Sequence, residues 1–339
     1  MQIKRLIISA VMLLGSVFIA QTTLAADLTA GTAQELIDAI STANSNNEAD
    51  TITITADIVL TSDPGLTINT PVVIDGQGFT ISRDDDQSTP LFRFASITNL
   101  PDNSTVAFTN LTLDNFRVDN AAGGTLSISD IGATSTVELS NVTISNGESL
   151  VGGGLYVVDS SVLIDASTFS FNRALRQDTS SDDEGLGGAV AAYGSTINIQ
   201  NNSTFNRNRA SLNGGALFLE TTVDAPSTAT IDMSTFDRNN ASLFGAAVYA
   251  GSPTAQTNTL AMTQVTITDS EGFVNAGALQ VADGASATLT NSEISDGEIV
   301  AMFNAGDLTV TGSTFSNNRA LVPDLPSGIE DDDDQATEA

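Results

Sequence analysis

Ser203-Thr204-Phe205-Asn206-Arg207-Asn208-Arg209-Ala210-Ser211-Leu212-Asn213-Gly214-Gly215-Ala216-Leu217 holds the two motifs on which the reading of this chain turns. The first is Phe-x-x-Asn preceded by Ser-Thr. It recurs as Phe169-Ser170-Phe171-Asn172, Phe236-Asp237-Arg238-Asn239 and Phe315-Ser316-Asn317-Asn318, and Leu113, Ile144, Ile267 and Ile294 take the Phe position in degenerate copies. The eight anchors 113, 144, 169, 205, 236, 267, 294 and 315 stand 31, 25, 36, 31, 31, 27 and 21 residues apart. The second motif is a small-residue pair leading into an apolar strand. Its copies are Gly123-Gly124-Thr125-Leu126, Gly153-Gly154-Leu155, Gly187-Gly188-Ala189-Val190, Gly214-Gly215-Ala216-Leu217, Gly245-Ala246-Ala247-Val248, Gly277-Ala278-Leu279 and Gly306-Asp307-Leu308. Two motifs that keep step over most of the chain define a repeat of about thirty residues.

The segments between the motifs decide what kind of repeat this is. Val162-Leu163-Ile164, Thr196-Ile197-Asn198-Ile199 and Thr228-Ala229-Thr230-Ile231 are short strands rich in Thr, Ser and Asn, residues that disfavour helix interiors. A coil that returns to its starting point each turn stacks parallel strands about 4.8 Å apart, so like residues lie on like. The Phe position then forms an inward apolar column. The Asn three residues later suits a ladder of side-chain amides that satisfies the turn backbone. Glycine before the strand permits a tight bend. The expected fold is all-β, a single-domain right-handed parallel β-helix over residues 27–320. A four-strand-per-blade propeller is the rival; it needs longer repeats and aromatic punctuation, and only 5% of this chain is aromatic.

The ends read differently from the middle. Lys4-Arg5, the apolar run Leu6 to Ala20 and Thr23-Leu24-Ala25 form a secretory signal over residues 1–25, with cleavage after Ala25 or Ala26; an uncleaved anchor helix is the alternative. Thr32-Ala33-Gln34-Glu35 is a capping box, and Leu36, Ile37, Ala39, Ile40 and Ala43 follow at helical spacing. The resulting helix, at about 32–44, is expected to cap the open end of the solenoid. Residues 321–339, with Asp331 to Asp334, read as a disordered acidic tail.

Composition narrows the chemistry. The chain has no His, Cys or Trp, which removes serine triads and histidine zinc sites. With Lys4 and Arg5 removed, 9 arginines face 41 acids, so nucleic acid and anionic membrane surfaces are electrostatically disfavoured. No later segment is apolar for long enough to span a bilayer. Export without cysteine leaves packing alone to stabilise the fold.

The paired Gly-Gly-Ala-Ile/Leu/Val and Phe-x-x-Asn motifs of residues 105–320 resemble the repeats of polymorphic outer-membrane proteins of the Chlamydia type. More broadly, the chain is similar to the right-handed β-helix, pectate-lyase-like superfamily. The first resemblance implies a surface-exposed adhesin or an autotransporter passenger, although no downstream β-barrel segment supports self-transport and Leu325-Pro326-Ser327-Gly328 is not a sortase signal. The second implies a carbohydrate-active enzyme, of which a calcium-dependent polysaccharide lyase with an arginine base fits a chain without histidine.

Two groups of residues are site candidates. Arg173, Arg207, Arg209, Arg238 and Arg319 follow Phe-x-x-Asn turns, and stacking would bring them to one edge as a glycan-binding stripe; neutralisation of nearby acids such as Asp237 is the competing reading. Asp182, Asp183 and Glu184, in the insertion of the longest coil, could hold calcium, against the reading of a solvated loop. No catalytic residue is assigned and no cofactor is required. The expected function is that of a secreted or cell-surface, adhesin-like or structural protein that presents loops and a lateral face to an extracellular polysaccharide or surface protein. The periplasm is the alternative compartment.

Overall fold

The computed structural model describes residues 25–177, 183–272 and 277–319; the expected signal segment (bar Ala25), the acidic tail and Asp182 lie outside them. Parallel strands wind around one apolar core as a right-handed β-helix, the hand imposed on parallel crossovers by strand twist. The eight anchors form one unbroken register. Leu113 pairs with Ile144, Ile144 with Phe169, Phe169 with Phe205, Phe205 with Phe236, Phe236 with Ile267, Ile267 with Ile294, and Ile294 with Phe315. Within this column the Phe169 and Phe205 rings stack at 5.1 Å and those of Phe205 and Phe236 at 4.7 Å, nearly coplanar in both pairs.

Each full coil contributes strands to three sheets. The strand before the anchor and the anchor strand belong to one large sheet, joined into single ten-residue strands at Thr105–Asp114 and Thr136–Ser145. A short strand pair follows, in a five-stranded sheet that includes Glu148–Ser149, Arg173–Ala174, Arg209–Ala210, Asn240–Ala241 and Glu271–Gly272. The small-residue motif then leads into a nine-stranded sheet with Leu126, Leu155, Val190, Leu217, Val248 and Leu279 in one inward column. The last expected copy of this motif is corrected: Leu279 pairs with Met302, whereas Leu308 pairs with Ala287 in the other sheet. The coil that carries it is short, like the 21-residue step from Ile294 to Phe315.

The glycine pair has two separate jobs, both visible in one copy. Gly214 sits at φ 66°, in the left-handed region. A Cβ on Gly215 would lie 2.1 Å from the carbonyl oxygen of Ala246, so backbone stacks directly on backbone in the next coil.

The expected amide ladder is present and fully buried. Asn172 donates its backbone N–H and its Nδ2 to Asn208 Oδ1, at 3.1 and 3.0 Å, and Asn208 repeats both bonds to Asn239 Oδ1 at 3.0 and 3.1 Å. The same amides bond sideways to carbonyl oxygens, Asn208 Nδ2 to Phe169 at 2.9 Å and Asn239 Nδ2 to Phe205 at 2.9 Å. Each side chain therefore serves the turn backbone and its axial neighbour together.

The first turn is covered by the helix Ala33–Ala43, whose Leu36, Ala39, Ile40 and Ala43 join the main core. Thr32 is the N-cap, accepting from the Glu35 N–H, while the Glu35 carboxylate reaches past Thr32 to the Gly31 N–H at 2.9 Å. At the other end the column positions are open. Val310 and Phe315 are each 40% exposed, because among the described residues no further coil lies over them.

Candidate functional site: the arginine edge

The turn that follows each anchor strand positions the site. Two residues after the anchor the backbone enters the left-handed region in every coil, at Asn115, Asn146, Phe171, Arg207, Arg238, Asp269, Asp296 and Asn317. Asn and Asp adopt this conformation at little cost, whereas Phe and Arg are expected to pay about 1–2 kcal/mol each. Two residues further on, a second outward column runs Arg117, Glu148, Arg173, Arg209, Asn240, Glu271 along the rod, each one coil from the next. The hydrogen bonds from Glu298 N to Ser270 O and from Arg319 N to Gly297 O continue it.

Stacking therefore brings the expected arginines to one edge, but not to one site. Arg173, Arg207 and Arg209 converge with Arg117, Asn146, Glu148 and Phe171 around a groove of about 370 Å³. A neighbouring groove of about 450 Å³ continues from Arg117 and Asn146 to Arg83, Asp84, Asp85 and Asp114. Arg238 is held away by acids, 3.4 Å from Asp237 and 3.6 Å from Asp269, so there neutralisation is the better description. Arg319 shares the column of Arg209 but stands four coils on, about 19 Å away.

The groove arginines differ in how far their charge is spent. Arg173 lies 3.5 Å from Glu148, with its side chain about half exposed. The Arg207 guanidinium lies over the Phe171 ring, 5.6 Å from its centroid. Arg209 is exposed and makes no ion pair among the described residues. Arg117 has a buried Nε with no partner. Arg83 is buried, donates to the carbonyl oxygens of Asn115 and Thr89, and has its pKa lowered by burial and then by Arg117. Arg83, Arg117, Glu148 and Phe171 are not among the site candidates that the sequence offers. Arg117 follows Leu113 by the same offset that places Arg173 after Phe169, so counting from the degenerate anchor finds it.

A second cluster lies on the outer face of the nine-stranded sheet. Tyr156, Tyr193, Phe218 and Tyr249 form a chain of ring contacts at 5.7, 5.7 and 5.1 Å, packed with Val151, Leu186 and Leu212. Glu220 pairs in register with Tyr193, and burial followed by the charge of Asp183 pushes its pKa up to about 7. The Tyr193 hydroxyl is raised well above its ordinary value, by burial first and Glu220 second. Of the calcium candidates, Asp183 faces this cluster electrostatically and Glu184 accepts the Gln177 N–H at 2.8 Å. Among the described residues no three acids converge as a metal site. No helix among them is long and apolar enough to cross a membrane.

Comparison with known proteins agrees with the repeat. Residues 200–220 match the Chlamydia polymorphic membrane protein (Chlamydia_PMP) repeat, the stretch that carries Phe205, Asn208 and Gly214-Gly215-Ala216-Leu217. No curated protein matches the chain. Among solved structures it is similar to L. reuteri 53608 SRRP, at 16% identity and a TM-score of 0.46, over 86% of this chain and 100% of that one. The chain is a parallel β-helix in which one coil matches the repeat of the Chlamydia polymorphic membrane proteins.

Proposed function

We propose that this chain is an exported, surface-displayed, adhesin-like β-helix that binds acidic polysaccharide through its arginine edge and does not turn it over. The observation that carries the reading is the cost accepted at that edge. Five coils fill the left-handed turn position with Asn or Asp, while Phe171 and Arg207 occupy it beside Arg173 and Arg209 at the groove and Arg238 occupies it in the next coil, paired with Asp237 and Asp269. Unlike Arg238, Arg207 makes no ion pair among the described residues and stacks on the Phe171 ring, so neutralisation does not account for its strained position. Arginines gathered on a strongly acidic rod give a local anion site, and bidentate guanidinium contacts suit carboxylates and sulfates. Phe171, 46% exposed, offers a ring face for a sugar. The signal-like start and the acidic body suit display outside the cell.

The test is retention of the mature chain on immobilised acidic and neutral polysaccharides, with product formation followed in the same samples. Acidic polysaccharide should retain the protein, retention should fall with salt, and Arg207→Gln/Arg209→Gln should weaken it about tenfold. Arg238→Gln should change little, since Asp237 and Asp269 already hold that charge. Loss of retention on every polysaccharide would sink the reading.

One observation favours an enzyme instead. Glu220, with a pKa of about 7 and Asp183 nearby, has the form of a general acid beside a second carboxylate. Turnover abolished by Glu220→Gln but indifferent to the arginine variants would establish that alternative.

A further inference from the structure

We infer that the groove selects a linear glycan with acidic groups on alternate sugars, lying along the rod axis, and that Glu148 enforces the selection. This rests on the binding reading above and deepens it. The lining residues of the outward column come from successive coils: Arg117, then Glu148, then Arg173, then Arg209. The signs along the axis are therefore positive, negative, positive, positive, in steps of about 4.8 Å. One step is close to the length of one sugar in an extended chain. Arg117, which lines the groove and makes no ion pair among the described residues, marks one anion position. The next anion position lies two to three coils on, about 10–14 Å away, where Arg173 and Arg209 are adjacent and Arg207 leans in over Phe171.

Between the two stands a carboxylate. Glu148 lines the groove with its side chain 26% exposed, and its ion pair to Arg173 holds it in place. A sugar opposite Glu148 is accepted if neutral and repelled if it carries a carboxylate. A polymer charged on every residue cannot avoid that contact in any axial register that also uses Arg117 and Arg173. A glycan with one charge per disaccharide avoids it. Discrimination of this kind arises from a repulsive group as much as from the attractive ones around it.

The experiment compares two probes of equal length on the mature chain: an alternating glycan with one uronate per disaccharide, and a homopolyuronate. The wild type should hold the alternating glycan about tenfold more tightly. Glu148→Gln should bring the ratio towards one, mainly by tightening the homopolyuronate. Glu271→Gln, in the same column three coils beyond Arg173, controls for net charge and should leave the ratio as it was. Equal binding of both probes by the wild type, or an unchanged ratio in Glu148→Gln, overturns the selectivity and leaves the acidic-glycan reading standing. Binding of neither probe overturns both.

Discussion

Replacing Asn208 with leucine should lower the stability of the mature chain by about 4 kcal/mol, although the two side chains share one branched shape and the same number of heavy atoms. Asn208 is fully buried and its side chain holds four bonds: two accepted from Asn172, one donated to Phe169 O and one to Asn239 Oδ1. Leucine leaves the Asn172 backbone N–H and the Phe169 carbonyl without these partners. A buried polar group that loses its partner costs about 1–3 kcal/mol, and shared networks raise the sum. Ser270 supplies the contrast. It stands one coil beyond Asn239, where the ladder stops, and its buried Oγ has no partner. Ser270→Ala should therefore be neutral or slightly stabilising. Urea unfolding gives the size of both effects. Because stacked repeats can unfold in parts, hydrogen exchange at the Asn172 amide shows whether the loss is local. An Asn208→Leu effect below about 1 kcal/mol would mean that the ladder is ornamental.

Glu220→Gln should stabilise the protein at pH 8 and leave it unchanged at pH 4. In the folded chain the carboxyl has a pKa of about 7, against 4.5 for the ordinary group, because burial and Asp183 disfavour its charge. The folded state thus keeps a proton that the unfolded state has lost between pH 4.5 and about 7. Wild-type stability falls as pH rises through this window, and the full cost is present above it. Each pKa unit is worth about 1.4 kcal/mol, and with part of the carboxyl still meeting water the expected cost is about 2 kcal/mol. The amide carries no such charge. The quantity to measure is the difference between variant and wild-type stability across the range, since other carboxylates titrate equally in both. A difference that does not change with pH would remove Glu220 as a buried acid.

The arginine edge and the Glu220 cluster show where sequence reading succeeds and where it stops. Stacking like on like makes in-register positions legible, and the eight anchors line up from Leu113 to Phe315 without a slip. The same logic places Arg173, Arg209 and Arg319 in one column, but cannot say which arginines share a groove. That depends on the acids a coil away: Glu271 and Glu298 separate Arg319 from the rest, and Asp269 ties Arg238. Leu308 was misplaced because a Gly-x-Leu pattern fits two sheets equally when the last coil is short. Tyr193 and Glu220 were illegible for another reason. They point outward, and their burial comes from residues such as Leu186 and Leu212 that pack over the sheet, which no periodicity encodes.

Because each coil advances the chain by one fixed step, the distance between Arg117 and Arg209 is counted, not tuned. Removing the coil that carries Glu148 would bring Arg117 one coil from Arg173, whereas inserting a coil would set them three apart. A lineage of such rods could change the chain length of the sugar it grips only in whole graduations, by gaining or losing repeats. Point substitutions would then be left to set which graduations carry charge.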